Sequence, residues 1–393
     1  MADVSSDPLV DNAIRIVKKE DGTISFVNEN DEKYLRNAFS SGHLNFLLGS
    51  AFSVETVPTL GNREAWFCEA RSMTSQYPED SDWQLAEQLL KAEYFASVML
   101  PLLDARPTGS QIRLIEAIMK LVSARGTTTI PRRANIFTTN YDPFIELALE
   151  EKGVSFNDGF VGRDHPLLTT RSFSRLQYEQ SLFMEYSSQV ATLNVLKPHG
   201  SLTWKKGSED GSITYVSHAA LLSLFAEDYG RLFASDHIND IMQLVTSEPN
   251  SAELIRLKEV ARQLSPEEER TLLDFTAKYT ADLCLVNPTK KKFEETVLDL
   301  FYYELLRIFA NELDRSNALL VAFGFSFEDE HILDLTRRAL DNPELILIVS
   351  CYQDSNAFDY AEKFKDKSNV RLLRCDEPLD LNVFAATLEK IGR

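Results

Sequence analysis

The chain has 393 residues, 44% of them hydrophobic, including 24 Phe and 13 Tyr, which is ample for one large domain with an elaboration, or for two domains. Sixty acidic residues against 41 basic ones give a formal charge of −19, so the average surface repels nucleic acid and anionic lipid. The N-terminus is polar with no signal-peptide pattern, no apolar run approaches the ~18 residues of a membrane span, and a cytoplasmic location is expected.

In chain order, "IRIVKKEDGTISFV" (14–27) reads as two strands around an Asp21-Gly22 turn, an N-terminal arm outside the main pattern. From residue 44 strands and helices alternate. Continuous apolar runs at 44–49, 135–139, 194–197, 283–286, 318–324, 345–352 and 370–373 read as parallel strands covered on both faces. Residues 83–103 and 293–313 carry helical apolar spacing. This pattern predicts an α/β fold with a doubly wound, Rossmann-like, mostly parallel sheet.

Residues 217–281 break the alternation and read as a helical insertion, with Ser265-Pro266-Glu267-Glu268 starting a helix as N-cap, first-turn proline and N3 carboxylate. The expected organisation is an arm at 1–39, a core at 40–216 and 282–393, and the insertion at 217–281. Cys68, Cys284, Cys351 and Cys375 contain no CxxC and sit in apolar surroundings, which predicts four buried free thiols and no zinc.

Ligands of doubly wound sheets bind beyond the C-terminal strand ends. Four loops there carry chemistry. Gly49-Ser50-Ala51-Phe52-Ser53 is a small-residue turn before a helix, suited to a phosphate, although it lacks GxGxxG and also reads as a plain tight turn. Thr138-Thr139-Asn140-Tyr141-Asp142-Pro143 offers Asp142 as helix cap, which leaves Asn140 unexplained. His199 stands in the turn "KPHGS" directly after a strand, where an imidazole serves either a structural turn or general base work. "FGFSFEDEH" (323–331) offers Gly324 and Ser326 as a second phosphate or ribose loop. There Ser326 and Asp329 fit an N-cap with its N3 carboxylate, a reading preferred over metal ligation by Asp329, Glu330 and His331. Lys290, Lys291 and Lys292 form a basic cluster before a helix, solvated by default.

Together and in order, "FLLGSAFS" (46–53), "IFTTNYD" (136–142), "FNDGFVG" (156–162), "VLKPHGS" (195–201) and "LLVAFGFSFEDEHI" (319–332) resemble the sirtuin-like family, in its bacterial antiphage-defence branch. Residues 287–307 also look like that branch. The resemblance implies an NAD⁺ glycohydrolase that releases nicotinamide and depletes NAD⁺. It implies Asn140 and His199 as catalytic residues, with Gly49, Ser50, Ala51, Phe52, Ser53, Thr139, Asp142, Gly324 and Ser326 around NAD⁺. It further implies a homo-oligomer, with a hexameric HerA-type ATPase as partner for DNA contact. The chain departs from the deacylase branch, which carries a four-cysteine zinc module where the helical insertion falls here, and a glutamine where Thr139 stands. Those departures favour water over a protein substrate. Two other classes compete: a non-catalytic NAD⁺ or ADP-ribose binding subunit, and a metal-dependent nuclease using Asp142, Asp329 and Glu330.

Overall fold

The computed structural model describes residues 8–11, 13–57, 61–126, 130–182, 186–207, 212–232, 241, 243–285 and 300–393. Its centre is a nine-stranded sheet in the order β2 (Ile24–Phe26), β1 (Ile14–Lys18), β16 (Val370–Cys375), β15 (Ile346–Ser350), β14 (Ala318–Phe323), β3 (His43–Leu48), β4 (Arg133–Thr138), β10 (Thr192–Leu196) and β5 (Phe156–Asn157). Every pairing in it is parallel except β1 with β2. The expected doubly wound sheet is present.

The continuous apolar strands follow from burial on both faces. Side chains alternate along a strand. Thus Leu319, Val321 and Phe323 of β14 join one core with Phe46 and Leu48, while Leu320 and Ala322 join the opposite core with Leu47. The second core is closed by the helix Leu300–Leu313, whose Phe309 stacks edge-on against Phe137 at 4.9 Å. Of the expected helix 293–313, residues 293–299 lie outside the described residues, as do Lys290, Lys291 and Lys292.

One polar row interrupts the apolar strands. Asn45, Asn135, Asn194 and Asn157 occupy paired positions on four adjacent strands. Asn135 donates to Asn45 (2.8 Å), Asn194 to Asn135 (2.8 Å) and Asn157 to Asn194 (3.3 Å). A one-residue slip would move each amide to the other face and strand it without a partner, so the ladder specifies register.

A second, antiparallel sheet runs β13 (Leu283–Leu285), β11 (Gly200–Lys206), β12 (Ile213–Tyr215), β7 (Leu167–Leu168), β6 (Phe160–Val161). A separate hairpin pairs β8 (Tyr178–Gln180) with β9 (Ser187–Gln189).

Two expectations are corrected. The hairpin at 14–27 is no arm: β1 pairs in parallel with β16 and extends the main sheet, because its residues Ile14 and Ile16 are apolar enough to be buried. Within the run 283–286, Leu283–Leu285 is a strand but pairs antiparallel with β11, since an apolar run reports burial and not direction; Val286 lies outside the described residues. The helices of 217–281 share a core with 63–102. Helix Ser81–Tyr94 packs against Ser251–Arg262 and Pro266–Asp282, Phe95 meets Phe275 at 5.3 Å, and Trp66 donates to the Ser247 carbonyl at 2.8 Å. The described part of 217–281 is helical and packs in one layer with the helices of 63–102. The capping box at Ser265 and Glu268 forms as expected.

Candidate functional site

The loops after β14, β3, β4 and β10 converge on one cavity at the C-terminal edge of the sheet. Strand order puts them there. The chain leaves β3 for β4 on one side, and β14 lies on the other, which is the crevice where open α/β sheets bind ligands. Gly49 and Gly324 let two of the loops touch. A Cβ on Gly49 would lie 2.2 Å from the Gly324 carbonyl oxygen, and one on Gly324, at φ +61°, would lie 2.3 Å from the Ala51 Cβ. Only glycine permits that approach.

The Gly49 loop is built differently from expectation. The N–H groups of Gly49, Ala51, Phe52 and Ser53 all donate to main-chain carbonyls, at 2.9 to 3.4 Å. The loop therefore offers hydroxyls, not a fan of N–H groups, to a phosphate. Phe52 points into the core, fully buried, while Ser50 is exposed and lines the cavity.

Ser53 is a hub. Its hydroxyl donates to Asp142 Oδ2 at 2.7 Å and accepts from Asn140 Nδ2 at 3.0 Å. Asn140 Nδ2 also donates to the Gly49 carbonyl at 3.0 Å, and its own N–H donates to Thr138 Oγ1 at 3.1 Å. Both amide hydrogens are thus engaged inside the protein. What Asn140 offers the cavity is its carbonyl oxygen, an acceptor. Thr139 lines the cavity beside it.

Asp142 is buried. Its Oδ1 accepts from the Phe144 N–H at 3.2 Å at the start of the helix Phe144–Glu151, although Pro143, and not the expected Asp142, holds the N-cap position. Burial raises its carboxyl above the ordinary range; the Lys197 ammonium, the Ser53 hydroxyl and the Phe144 N–H pull the other way. Lys197, fully buried, donates to the Asp142 carbonyl (2.5 Å) and pairs with Glu146 (2.8 Å). It is a buried clamp under the loop that sequence reasoning left unassigned.

His199 occupies a turn closed by the Gly200 N–H donating to the Lys197 carbonyl at 3.0 Å, with Pro198 between them in the position that favours its fixed φ. Gly200 has φ +86°, and a Cβ there would lie 1.8 Å from the Cys284 carbonyl oxygen. The ring stands where the parallel sheet hands over to the antiparallel one. Its Nε2 lies 2.9 Å from Asp329 Oδ2, with both side chains less than a tenth exposed.

The Ser326 cap is corrected. Asp329 is the N-cap of the helix Glu330–Ala339, accepting from the His331 and Ile332 N–H groups at 3.1 Å each. The loop before it is pinned by Phe327, whose buried ring packs edge-on against Phe325, Tyr360 and Phe364, and by the Tyr360 hydroxyl donating to the Phe325 carbonyl at 3.0 Å. Phe327 holds φ +58°, a strained conformation for a bulky residue. Ser326 is exposed at the cavity mouth.

The far wall is apolar. Helix Ser81–Tyr94 continues into a π turn, Phe95–Met99, and a short 3₁₀ turn, so the expected single helix is interrupted where it borders the cavity. Val98, Met99 and Leu102 face Leu202 there, with Tyr94 and Tyr141 between the two halves. Burial holds the Tyr94 hydroxyl well above its usual range. Four lining residues are carboxylates (Glu64, Asp142, Glu328 and Asp329), and among the described residues none lining the cavity is Lys or Arg.

Asp142, Asp329 and Glu330 do not gather as a metal set: no group of three or more His, Cys, Asp or Glu residues is placed to hold an ion among the described residues. The four cysteines are free, and Cys68 and Cys375 are half-buried, not buried as expected. No helix among the described residues is long and apolar enough to cross a membrane.

The doubly wound sheet thus carries an amide, a histidine and carboxylates at its switch point. Residues 134–254 match the family model described as SIR2-like domain, a segment that holds Thr139, Asn140, Asp142 and His199. A solved structure of Sir2Tm bound to a propionylated peptide is similar over 90% of this chain and 94% of its own, at 12% identity and a TM-score of 0.38. No curated protein matches the chain. The SIR2-like segment points to NAD-dependent chemistry in the broad sense.

Proposed function

We propose that the chain is an NAD⁺ glycohydrolase. The observation that carries this reading is the cavity itself. It combines an acceptor amide (Asn140), a buried imidazole (His199) and, among the described residues, an acidic lining without Lys or Arg. Cleavage of the nicotinamide–ribose bond develops positive charge on the sugar. Preorganised carboxylates in a water-poor site stabilise such a charge, and cations there would oppose it.

In this reading the nicotinamide-ribose end lies between Asn140, Asp142 and the apolar wall. Thr139 lines that end, Ala51 leaves room for the approach, and the Ser50 and Ser326 hydroxyls with the Gly324 turn serve the diphosphate and second ribose. As nicotinamide leaves with the bonding electron pair, the Asn140 carbonyl accepts a hydrogen bond from the incoming water and aligns it. Water oxygen bonds to the sugar carbon, and the proton it loses passes to His199 and then to solvent. The products are nicotinamide, ADP-ribose and a proton. General base action of this kind is worth ~10²–10⁴ in rate.

The same reading places the chain in the cytoplasm as a homo-oligomer that depletes NAD⁺ during phage infection, with a hexameric HerA-type ATPase as partner. A charge of −19 supports leaving DNA contact to such a partner. The test is nicotinamide release from NAD⁺ by the full chain, alone and with the partner ATPase, beside Asn140→Ala and His199→Ala. Release abolished by both substitutions is expected. Release that survives them, or NAD⁺ bound but never cleaved with the partner present, overturns the proposal.

A further inference from the structure

We infer that Asp329 is a positioning residue for His199, selecting which ring nitrogen is free to take a proton. The inference deepens the glycohydrolase reading and rests on it for its kinetic arm only. The two residues are 130 positions apart and come from different walls of the cavity. Their contact links the β10 and β14 loops, with Nε2 2.9 Å from Oδ2. A neutral imidazole has one N–H and one lone pair. A carboxylate at that distance favours the proton on Nε2; the lone pair is then on Nδ1, and Nδ1 is the nitrogen that accepts the proton. When the ring becomes cationic, the Asp329 carboxylate lies at ion-pair distance from it.

Several features converge on placing this carboxylate. Oδ1 is fixed by two N–H groups of the helix Glu330–Ala339, which orients Oδ2 toward the ring. The preceding loop is anchored by two buried Phe rings and accepts a left-handed φ at Phe327. Strain of that kind, at a bulky residue two positions before Asp329, fits a loop held for geometry. The charged and titratable groups facing the pair are His331 and Glu330 from the same helix and Asp142 and Glu328 from the cavity lining. Burial lowers His331, with His199 acting in the same direction.

Asp329→Asn separates positioning from capping. Asparagine caps a helix about as well as aspartate, so a residue that only caps would tolerate it. As a positioning residue it would not, because the amide carries no charge and presents a donor as readily as an acceptor. The experiment uses the full chain labelled with ¹⁵N-histidine. Ring nitrogen shifts are recorded at about pH 8.5, two units above the ordinary imidazole value, and the His199 signals are assigned by their loss in His199→Gln. Expected are an Nε2–H tautomer in the wild type and a mixed or Nδ1–H tautomer in Asp329→Asn, with thermal unfolding unchanged. For NAD⁺ turnover, kcat should fall about 10²-fold or more while KM moves less than about threefold, with partial recovery in Asp329→Glu. An unaltered His199 tautomer in Asp329→Asn overturns the inference, whatever the turnover. If the wild type releases no nicotinamide, the glycohydrolase reading fails while the ring shifts still decide the positioning role.

Discussion

Replacing Lys197 with methionine removes one ammonium and keeps most of the side-chain volume. In the native fold that ammonium, 1% exposed, pairs with Glu146 at 2.8 Å and donates to the Asp142 carbonyl at 2.5 Å and Ser201 Oγ at 3.3 Å. Glu146 Oε2 has no hydrogen-bond partner, so little else would hold its charge. Removing one member of a buried pair costs about 3–5 kcal/mol, a large part of the ~5–15 kcal/mol that keeps a domain folded. The stranded carboxylate can escape by taking a proton. At pH 7 neutralising an ordinary glutamate costs about 3.7 kcal/mol, and at pH 5 about 1 kcal/mol.

The loss in the variant therefore depends on pH. Its folded state holds a proton that the unfolded chain releases, so the variant's stability falls as pH rises. Urea unfolding followed by the fluorescence of Trp66, Trp83 and Trp204 should show a deficit of about 4–5 kcal/mol at pH 8, shrinking by about 3–4 kcal/mol at pH 5. Adding Glu146→Gln should recover most of the deficit. A loss under about 1 kcal/mol at pH 8, or one of equal size at both pH values, would refute the view that Lys197 clamps the Asp142 loop by charge.

Ser53→Ala removes the donor to Asp142 and the acceptor for Asn140 at once; kcat for nicotinamide release should drop about 10–100-fold with a smaller change in KM, and equal kcat in steady-state assays would contradict the hub. Burial raises Asp158 to about 6, with Glu146 adding to the effect. A raised carboxyl favours the fold below its unfolded value, and that advantage is lost as pH rises through about 6. Asp158→Asn should accordingly raise Tm near pH 7 and leave it unchanged near pH 4, as differential scanning calorimetry would show; a Tm gain of equal size at both pH values would argue otherwise. Asn135→Leu breaks the ladder at its centre, leaving Asn45 Oδ1 without its donor and Asn194 Nδ2 with only the Phe173 carbonyl; chemical unfolding should show a loss of about 2–4 kcal/mol, and no loss would mean the ladder is ornamental.

Much of the molecule was determined locally and was legible as sequence. Apolar runs such as 318–324 cannot be anything but buried, and parallel strands covered on both faces are the form that buries them continuously. Ser265 and Glu268 satisfy helix-end N–H groups with their own side chains, so their spacing alone announces the helix. Asn140 and His199 stood out because neither strand nor helix needs an amide or an imidazole at those positions. Direction and company were not local. The hairpin at 14–27 has the same turn whether it projects as an arm or extends the sheet, and only the free edge of β16 decides between them. The π turn that lines the cavity arises where helix Ser81–Tyr94 packs against partners from beyond residue 250. Asp329 carried a sufficient local explanation as a first-turn carboxylate. Its second oxygen acquires a purpose when sheet order brings the β14 loop to His199, and hydrogen-bond direction at an imidazole is set by whatever carboxylate lies within 3 Å of it in space.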